Sequence, residues 1–148
     1  MKKIGEYTCR GRVKSQTTQR ITLFDGRFDT GYKVISFDVL PEDPTVAAED
    51  VTGVLATEPG AAILDWNLGD QRQIAWSGNK SDSSSSTHMA VIDPDNFIVE
   101  DLFFFGDNPF SAGSRVNYLI TMEKYETTDW RGALALVRNS AQSSSSTT

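Results

Sequence analysis

The sequence predicts an all-β fold, an antiparallel β-sandwich or jelly roll of about eight strands with a short C-terminal helix. Polar and apolar residues alternate over short segments, which is typical of strands with one buried face. Turn-forming Gly, Pro, Asn and Asp residues separate these segments at the spacing of hairpin connections. Because strands do not alternate with helices, the fold is not of the α/β class, and a small closed barrel is the second architecture we consider.

Periodicity and turn signals place each strand. The predicted strands are 4–11, 19–24, 32–40, 51–57, 71–76, 88–92, 97–105 and 115–125. The second and third are expected to form a hairpin, because Asp25-Gly26 is a strong two-residue turn signal. In the third strand, Ile35, Phe37 and Val39 are expected on one face, and Pro41 ends the strand because proline cannot donate to a ladder.

Two connections are predicted from composition. The tract 77–86 is almost entirely polar and rich in serine, so it is expected to be a mobile loop. Asp93-Pro94-Asp95-Asn96 has proline at the second position of a type I turn, and its carboxylates are expected to cap backbone amides.

The last third of the chain predicts a hairpin followed by a helix. Strands 97–105 and 115–125 would pair, with four residues of the second pointing inward: Val116, Tyr118, Ile120 and Met122. A helix over 130–138 follows from the i, i+3, i+4, i+7 spacing of Trp130, Ala133, Leu134 and Val137. Residues 1–140 are therefore predicted to form a single domain, and 141–148 a flexible Ser/Thr tail.

The run Phe103-Phe104-Phe105 is apolar on both faces of its strand. Leu102 and Phe104 would lie on one face, and Phe103 and Phe105 on the other, because successive strand residues alternate. The second face must be covered by a loop or the C-terminal helix of the same chain, or by another subunit. On the second alternative, the predicted interface residues are Phe103, Phe105, Trp130, Leu134 and Trp66.

Charge is unevenly distributed along a chain of net charge −6. Residues 1–33 carry eight Lys or Arg against three acids, whereas residues 34–148 carry six against seventeen. The basic region could contact nucleic acid or complement neighbouring copies, but its alternation along strands favours a solvated face. The longest apolar runs are far too short to span a bilayer, and the charged N-terminus does not resemble a signal peptide.

The sequence does not predict an enzyme, a metal site or a cofactor. The single His88 would have to serve any Ser or Cys nucleophile, and no nucleophile-elbow motif is present. Cys9 is expected to pack as a small apolar residue. Asp93, Asp95 and Asn96 offer oxygens to calcium, but without the repeat and glycine of an EF-hand loop. Trp66 is the tryptophan expected at the surface, where it could stack on a sugar.

Three segments resemble stretches of small structural proteins of marine viruses and bacteriophages. They are Arg20–Val34, Ile92–Leu102 and Val116–Tyr125, the last running into Trp130–Ala135. The resemblance implies a single-domain β-sandwich, a capsid or decoration subunit present in many copies in a virion.

We therefore expect a virion structural protein that assembles in the host cytoplasm as symmetric homo-oligomers with other virion proteins, without a membrane partner. The doubly apolar strand, the uneven charge and the Ser-rich segments are compatible with this expectation. The alternative is a carbohydrate-binding module of a phage tail or a cell surface, supported by the sandwich architecture and Trp66. An enzyme is the third class considered.

Overall fold

The computed structural model describes residues 1–45, 49–81 and 86–127. Within them the chain forms eight strands and one short 3-10 helix, Pro59–Ala61. The strands are β1 Lys2–Lys14, β2 Thr17–Ile21, β3 Thr30–Pro41, β4 Val51–Ala56, β5 Gln73–Ser81, β6 Ser86–Ile92, β7 Leu102–Asp107 and β8 Arg115–Glu126. The predicted all-β class and strand number are confirmed. The predicted helix over 130–138 and the tail 141–148 lie outside the described residues.

Two antiparallel sheets form a sandwich. The three-stranded sheet has the order β1-β8-β3, and the five-stranded sheet has the order β2-β7-β4-β5-β6. The first strand therefore pairs with the eighth, the second with the seventh and the fourth with the fifth. The third and sixth are in contact without a shared ladder. Most pairings consequently join strands that are distant in sequence.

The core lies between the two sheets and consists of alternate residues from each strand. Phe37 on β3 and Phe104 on β7 are fully buried, and their rings meet edge-on with centroids 5.8 Å apart. On β8 the inward residues Val116, Ile120 and Met122 are buried, and Tyr118 packs against the same cluster. The predicted inward face of this strand is confirmed, because a period of two holds from Val116 to Met122.

The Asp25-Gly26 prediction is wrong in one respect. Gly26 has the positive φ of 87° that the turn signal implies. However, β2 pairs with β7 and β3 pairs with β8, so the connection crosses between sheets instead of closing a hairpin. Asp25 holds this crossover by accepting from the amide of Arg27, the hydroxyl of Thr30 and the ammonium of Lys124.

The predicted hairpin of 97–105 with 115–125 is also wrong. β7 lies between β2 and β4, whereas β8 is the centre of the other sheet. The first part of the predicted strand forms only an isolated bridge, in which Ile98 exchanges two backbone hydrogen bonds with Tyr32. Local alternation cannot tell a hairpin from two strands that separate into facing sheets.

The tract 77–86 is predicted as a loop, but Ser77–Ser81 extends β5 and Ser86 begins β6, while residues 82–85 lie outside the described residues. Ser77 is fully buried, and its hydroxyl accepts from the amide of Val39 and donates to the carbonyl of Met89. A buried serine can take the place of an apolar residue where the edge of a neighbouring sheet needs a hydrogen-bond partner. Composition alone therefore predicts a fifth strand that ends too early.

A bulge corrects the predicted face of the third strand. The register of β3 against β8 shifts between Val34 and Ser36, so Ile35 is an extra residue and its side chain is exposed. Val34 takes the buried position instead, while Phe37 and Val39 face the core as predicted. One inserted residue is enough to move a neighbouring side chain to the opposite face.

The free edge of β3 is satisfied by groups outside its sheet. Ile98 pairs with the backbone of Tyr32. The side-chain amide of Asn96 accepts from Val34 N at 2.7 Å and donates to Val34 O at 3.1 Å. With Ser77 at Val39, this edge has little left for another strand, which limits edge-to-edge association.

Candidate interaction surfaces

The side of the five-stranded sheet that faces away from the core is covered by a segment of the same chain, residues 57–72. Phe103 and Phe105 point to this side and are half-buried. They pack against Ala56, Ala61 and Ala62, the last two from the 3-10 helix and the residue after it. Of the two covers considered for this second apolar face, the structure therefore places a loop of the same chain over both phenylalanines.

Gln73 fastens this segment to the sheet. Its amide nitrogen donates to the carbonyls of Ala61 at 3.1 Å and Asp65 at 3.0 Å. Its amide oxygen accepts from the amide of Asn67 and from the indole of Trp76, both at 2.9 Å. The side chain is almost fully buried, and all its hydrogen-bonding positions are used. The segment is thus held by a polar clamp as well as by apolar packing.

A salt bridge closes the same segment. Arg72 binds Asp70 with two parallel bonds, Nε to Oδ1 at 3.0 Å and Nη2 to Oδ2 at 2.8 Å. The hydrogen bonds to Asp70 raise the pKa of Arg72 above its usual value. The bidentate geometry fixes the direction in which the chain enters β5.

The covering segment and the neighbouring edge strand expose apolar side chains, which we call the acidic apolar face. It comprises Trp66, Leu68, Met89 and Val91, with Asp93 beside them at a cavity, the exposed Asp65 next to Trp66 in the covering segment, and the exposed Asp95 in the turn after β6. Leu68 is 64 % exposed, and Met89 and Val91 are about half exposed. Met89 and Val91 lie directly opposite Gly78 and Trp76, on the side away from the core. The six-membered ring of Trp66 lies over Gly78, so Trp66 is half-buried.

A cavity of about 360 Å³ opens in this face. Leu68, Trp76 and Val91 supply its apolar lining, and Asp70 and Asp93 are among its polar residues. Trp76 contributes little surface, because it is almost completely buried. The lining is therefore mainly aliphatic and polar, with little aromatic surface.

One part of the outer side of the three-stranded sheet has the opposite charge, and we call it the basic face. Arg10, Arg12 and Lys14 project from β1, and Arg115 from β8, while Leu40 and Leu119 are exposed beside them. Their orientation follows from the register, because the directly opposed pair Val13 and Val116 is buried and the intervening pairs point outward.

The cations of the basic face are only partly compensated. Glu42 approaches Arg12 at 3.7 Å and Arg115 at 3.9 Å. Arg10 and Lys14 have no acidic partner in the part of the chain that the structure describes. Lys14 lies directly opposite Arg115, and like charges at this position destabilise a sheet. Glu42 is thus shared by two of the four cations, while Asp38, beside Leu119 on the same side, is held by His88.

The candidate nucleophile and base lie apart. His88 Nε2 is 2.7 Å from Asp38 Oδ1, and both side chains are substantially exposed. Cys9 is half-buried on the other edge of the three-stranded sheet, where burial raises the pKa of its thiol although a hydrogen bond with Tyr118 lowers it. A thiol with a raised pKa is a weak nucleophile near neutral pH. His88 therefore links β6 to β3, whereas Cys9 lies on β1 at the opposite edge of the three-stranded sheet.

Asp93 and Asn96, which were considered for calcium, have partners within the chain, and so do the carboxylates of the β2–β3 connection. Asp93 accepts from the amide of Asp95, and the side chain of Asn96 is occupied by Val34 and Asp93. The expected capping of a backbone amide is thus confirmed for Asp93. Asp25 is bound to Lys124, and Asp29 to Arg27. Among residues 1–45, 49–81 and 86–127, no three His, Cys, Asp or Glu side chains cluster closely enough to hold a metal ion.

Sequence reasoning located some of these residues and missed others. Phe103, Phe105 and Trp66 lie on the same side of the five-stranded sheet, whereas Trp130 and Leu134 lie outside the described residues. Gln73 was not identified, because a glutamine in a short strand gives no sign of its partners. The pairing of Lys14 with Arg115 follows only from the register between the first and last strands. In the described ranges, no helix is both long and apolar enough to cross a bilayer.

Comparison with known proteins does not assign this chain to a family. No protein-family model matches the sequence, and no curated protein has significant sequence similarity to it.

Proposed function

We propose that this protein is a virion structural subunit, a small β-sandwich that builds or decorates a shell in many copies. Its partners would be further copies of itself and other virion proteins, and its location the virion. The observation that carries the proposal is the exposed apolar surface on the outer side of the five-stranded sheet, where Leu68, Met89 and Val91 are at least half exposed. Contiguous apolar surface of this kind marks protein interaction sites.

The strand order supports the proposal. The pairs 1 with 8, 2 with 7 and 4 with 5, and the contact between 3 and 6, are those expected when one long antiparallel ribbon rolls into two sheets. We infer that the fold is a jelly roll in which β6 pairs with β5 in the five-stranded sheet instead of with β3. Jelly rolls occur in viral capsid and lectin domains, so the architecture is compatible with the proposal without selecting it.

Light scattering during size-exclusion chromatography, followed by electron microscopy, tests the proposal. We expect the purified protein to form regular multimers as its concentration rises. Leu68→Ser with Val91→Thr should weaken them, because each removes exposed apolar area from one face. Phe110→Ser is the matched control, since Phe110 is comparably exposed in the connection between β7 and β8. A protein that stays strictly monomeric at high concentration would overturn the proposal.

A carbohydrate-binding module is the second candidate, and the cavity of about 360 Å³ favours it. Sugar sites combine an aromatic platform with hydrogen-bonding side chains, and here Asp93 and the exposed Gln71 line the cavity while the ring of Trp66 lies over Gly78 on the same side. A glycan array with wild-type protein and the Trp66→Ala and Gln71→Ala variants tests it. Specific binding that either variant abolishes would favour the module over the shell subunit.

A further inference from the structure

The basic face and the acidic apolar face lie on the two outer sides of the sandwich, carry opposite charge, and both expose apolar side chains. The basic face has four cations around Leu40 and Leu119, and its acids are Glu42 and Asp38, the latter held by His88. The acidic apolar face has three carboxylates, those of Asp65, Asp93 and Asp95, and none of them forms an ion pair in the described ranges. Its nearby cations are Arg72, which is bound to Asp70, and Lys80 at the far end of β5.

We propose that copies of this protein associate head to tail, with the acidic apolar face of one copy docked on the basic face of the next. The inference rests on the proposed function, because it names the contact by which the subunits would assemble. The occupant is a second copy because the same chain supplies both the excess cations and the unpaired carboxylates. Apolar contact would supply affinity, and opposite charge would set orientation and exclude pairing of identical faces.

The position of the two faces determines the type of contact. They belong to different sheets and lie on opposite sides of the sandwich. Each copy would therefore contact one neighbour through its acidic apolar face and a second neighbour through its basic face. Such an interface is heterologous, and it closes into a ring or continues as an open array according to the rotation between copies. This differs from the symmetric, self-complementary contact expected from the apolar strand alone. Lys14 and Arg115 lie directly opposite each other and repel. A carboxylate of the neighbouring copy would relieve this repulsion.

A charge-swap experiment tests the proposal. The first variant, Arg10→Glu with Lys14→Glu, makes the basic face acidic; its fold should be preserved, because the carboxylate introduced at position 14 would stand opposite Arg115 as an attractive pair. The second variant, Asp65→Lys with Asp95→Lys, reverses the acidic apolar face at two side chains that have no ion-pair partner among the described residues. Each variant alone should associate at least tenfold more weakly than the wild type, as measured by analytical ultracentrifugation at low salt.

The two variants mixed in equal amounts should recover association, because the acidified face of one meets the reversed face of the other. Native mass spectrometry should then show complexes containing both. Arg10→Lys with Lys14→Arg is the control that preserves charge and should behave as the wild type. Added salt should weaken the wild-type contact, because both charged sets are exposed.

The possible results separate the inference from the proposed function. If the wild type assembles but neither swap weakens it, or if mixing restores nothing, the head-to-tail contact is wrong while the shell subunit stands. A monomeric wild type would overturn both. If a fluorescently labelled single-stranded oligonucleotide binds the basic face, and the Arg10→Glu and Lys14→Glu substitutions abolish that binding without changing assembly, the partner is nucleic acid and the inference fails.

Discussion

Asn96 pairs with the backbone of Val34 through both ends of its side-chain amide, and so takes the place of a neighbouring strand at the edge of β3. Its oxygen accepts from Val34 N at 2.7 Å, and its nitrogen donates to Val34 O at 3.1 Å and to Asp93 O at 2.8 Å. The side chain is almost fully buried. A turn residue thereby completes a sheet at the point where a bulge interrupts its regular pairing.

Replacing Asn96 by Asp should destabilise the protein. The carboxylate can still accept from Val34 N, but it cannot donate to the two carbonyls, and each buried polar group left unsatisfied costs about 1–3 kcal/mol. Urea unfolding should show a lower midpoint, and the amide hydrogen of Val34 should exchange faster. Asn67→Asp is the matched control, because Asn67 is exposed and its side chain only accepts, from Gly69 N. Equal stability of the two variants would contradict this account of the edge.

Removing the Gln73 side chain should release the segment over the five-stranded sheet. Gln73→Ala leaves the indole of Trp76 and the carbonyls of Ala61 and Asp65 without partners, at about 1–3 kcal/mol for each group that water cannot reach. We expect lower stability in urea and faster proteolytic cleavage within 57–72. Gln71→Ala, at an exposed glutamine two residues earlier, should change neither measurement. Unchanged cleavage of the Gln73 variant would argue against the clamp.

Stability should fall in acid partly because of Asp25. Burial alone would raise its pKa, but Lys124, Thr30 and the Arg27 amide together lower it from 3.8 to about 2. A lowered folded-state pKa contributes stability that is present above the unfolded value and lost as pH falls through the folded one. The stability that Asp25 contributes should therefore be lost between pH 3.8 and about 2. Urea midpoints of the wild type measured across this window should decline, and those of Asp25→Asn should decline less steeply. Asp65→Asn is the control and should follow the wild type, because Asp65 is an exposed carboxylate without an ion pair in the described ranges.

Gly53 should not tolerate even a methyl group. A Cβ at this position would lie 2.6 Å from Val39 Cγ1 and 3.0 Å from Phe104 Cε1, both inside the core. Overpacking of this kind typically costs about 1–3 kcal/mol, so thermal unfolding of Gly53→Ala should occur at a lower temperature. Gly60→Ala provides the comparison, because its nearest neighbour would be the end of the Arg72 side chain at 3.7 Å. A melting temperature for Gly53→Ala that matches the wild type would show that the two sheets can separate locally.

Local patterns in the sequence determine which residues are strands, but not which strands are neighbours. The alternation in 115–125 gave the buried face of β8 correctly, because a period of two is a property of one strand. Asp25-Gly26 gave a turn with positive φ, yet not its partner strands, because β2 and β3 separate into facing sheets directly after it. The bulge at Ile35 and the hydroxyl contacts of Ser77 depend on tertiary neighbours, which alternation and composition do not encode.

The candidate surfaces illustrate the same limit. Three apolar residues in a row predicted that a second face needed covering, and Phe103 and Phe105 are indeed packed on that side. The cover itself, residues 57–72, was weakly periodic and gave no signal. Likewise, the excess of basic residues in the first fifth of the chain was visible, but the basic face forms only when β8 places Arg115 beside Lys14.

The central position of β8 has a consequence for how the chain folds during synthesis. β8 is the last of the described strands to be made, yet it is the one that hydrogen-bonds to both β1 and β3. Until it leaves the ribosome, those two strands have no partner within their own sheet, whereas β4 and β5 can already pair. Pairings this distant in sequence fold slowly and leave unpaired strands exposed in the meantime. The early strands of a nascent chain would therefore be the ones most in need of a chaperone.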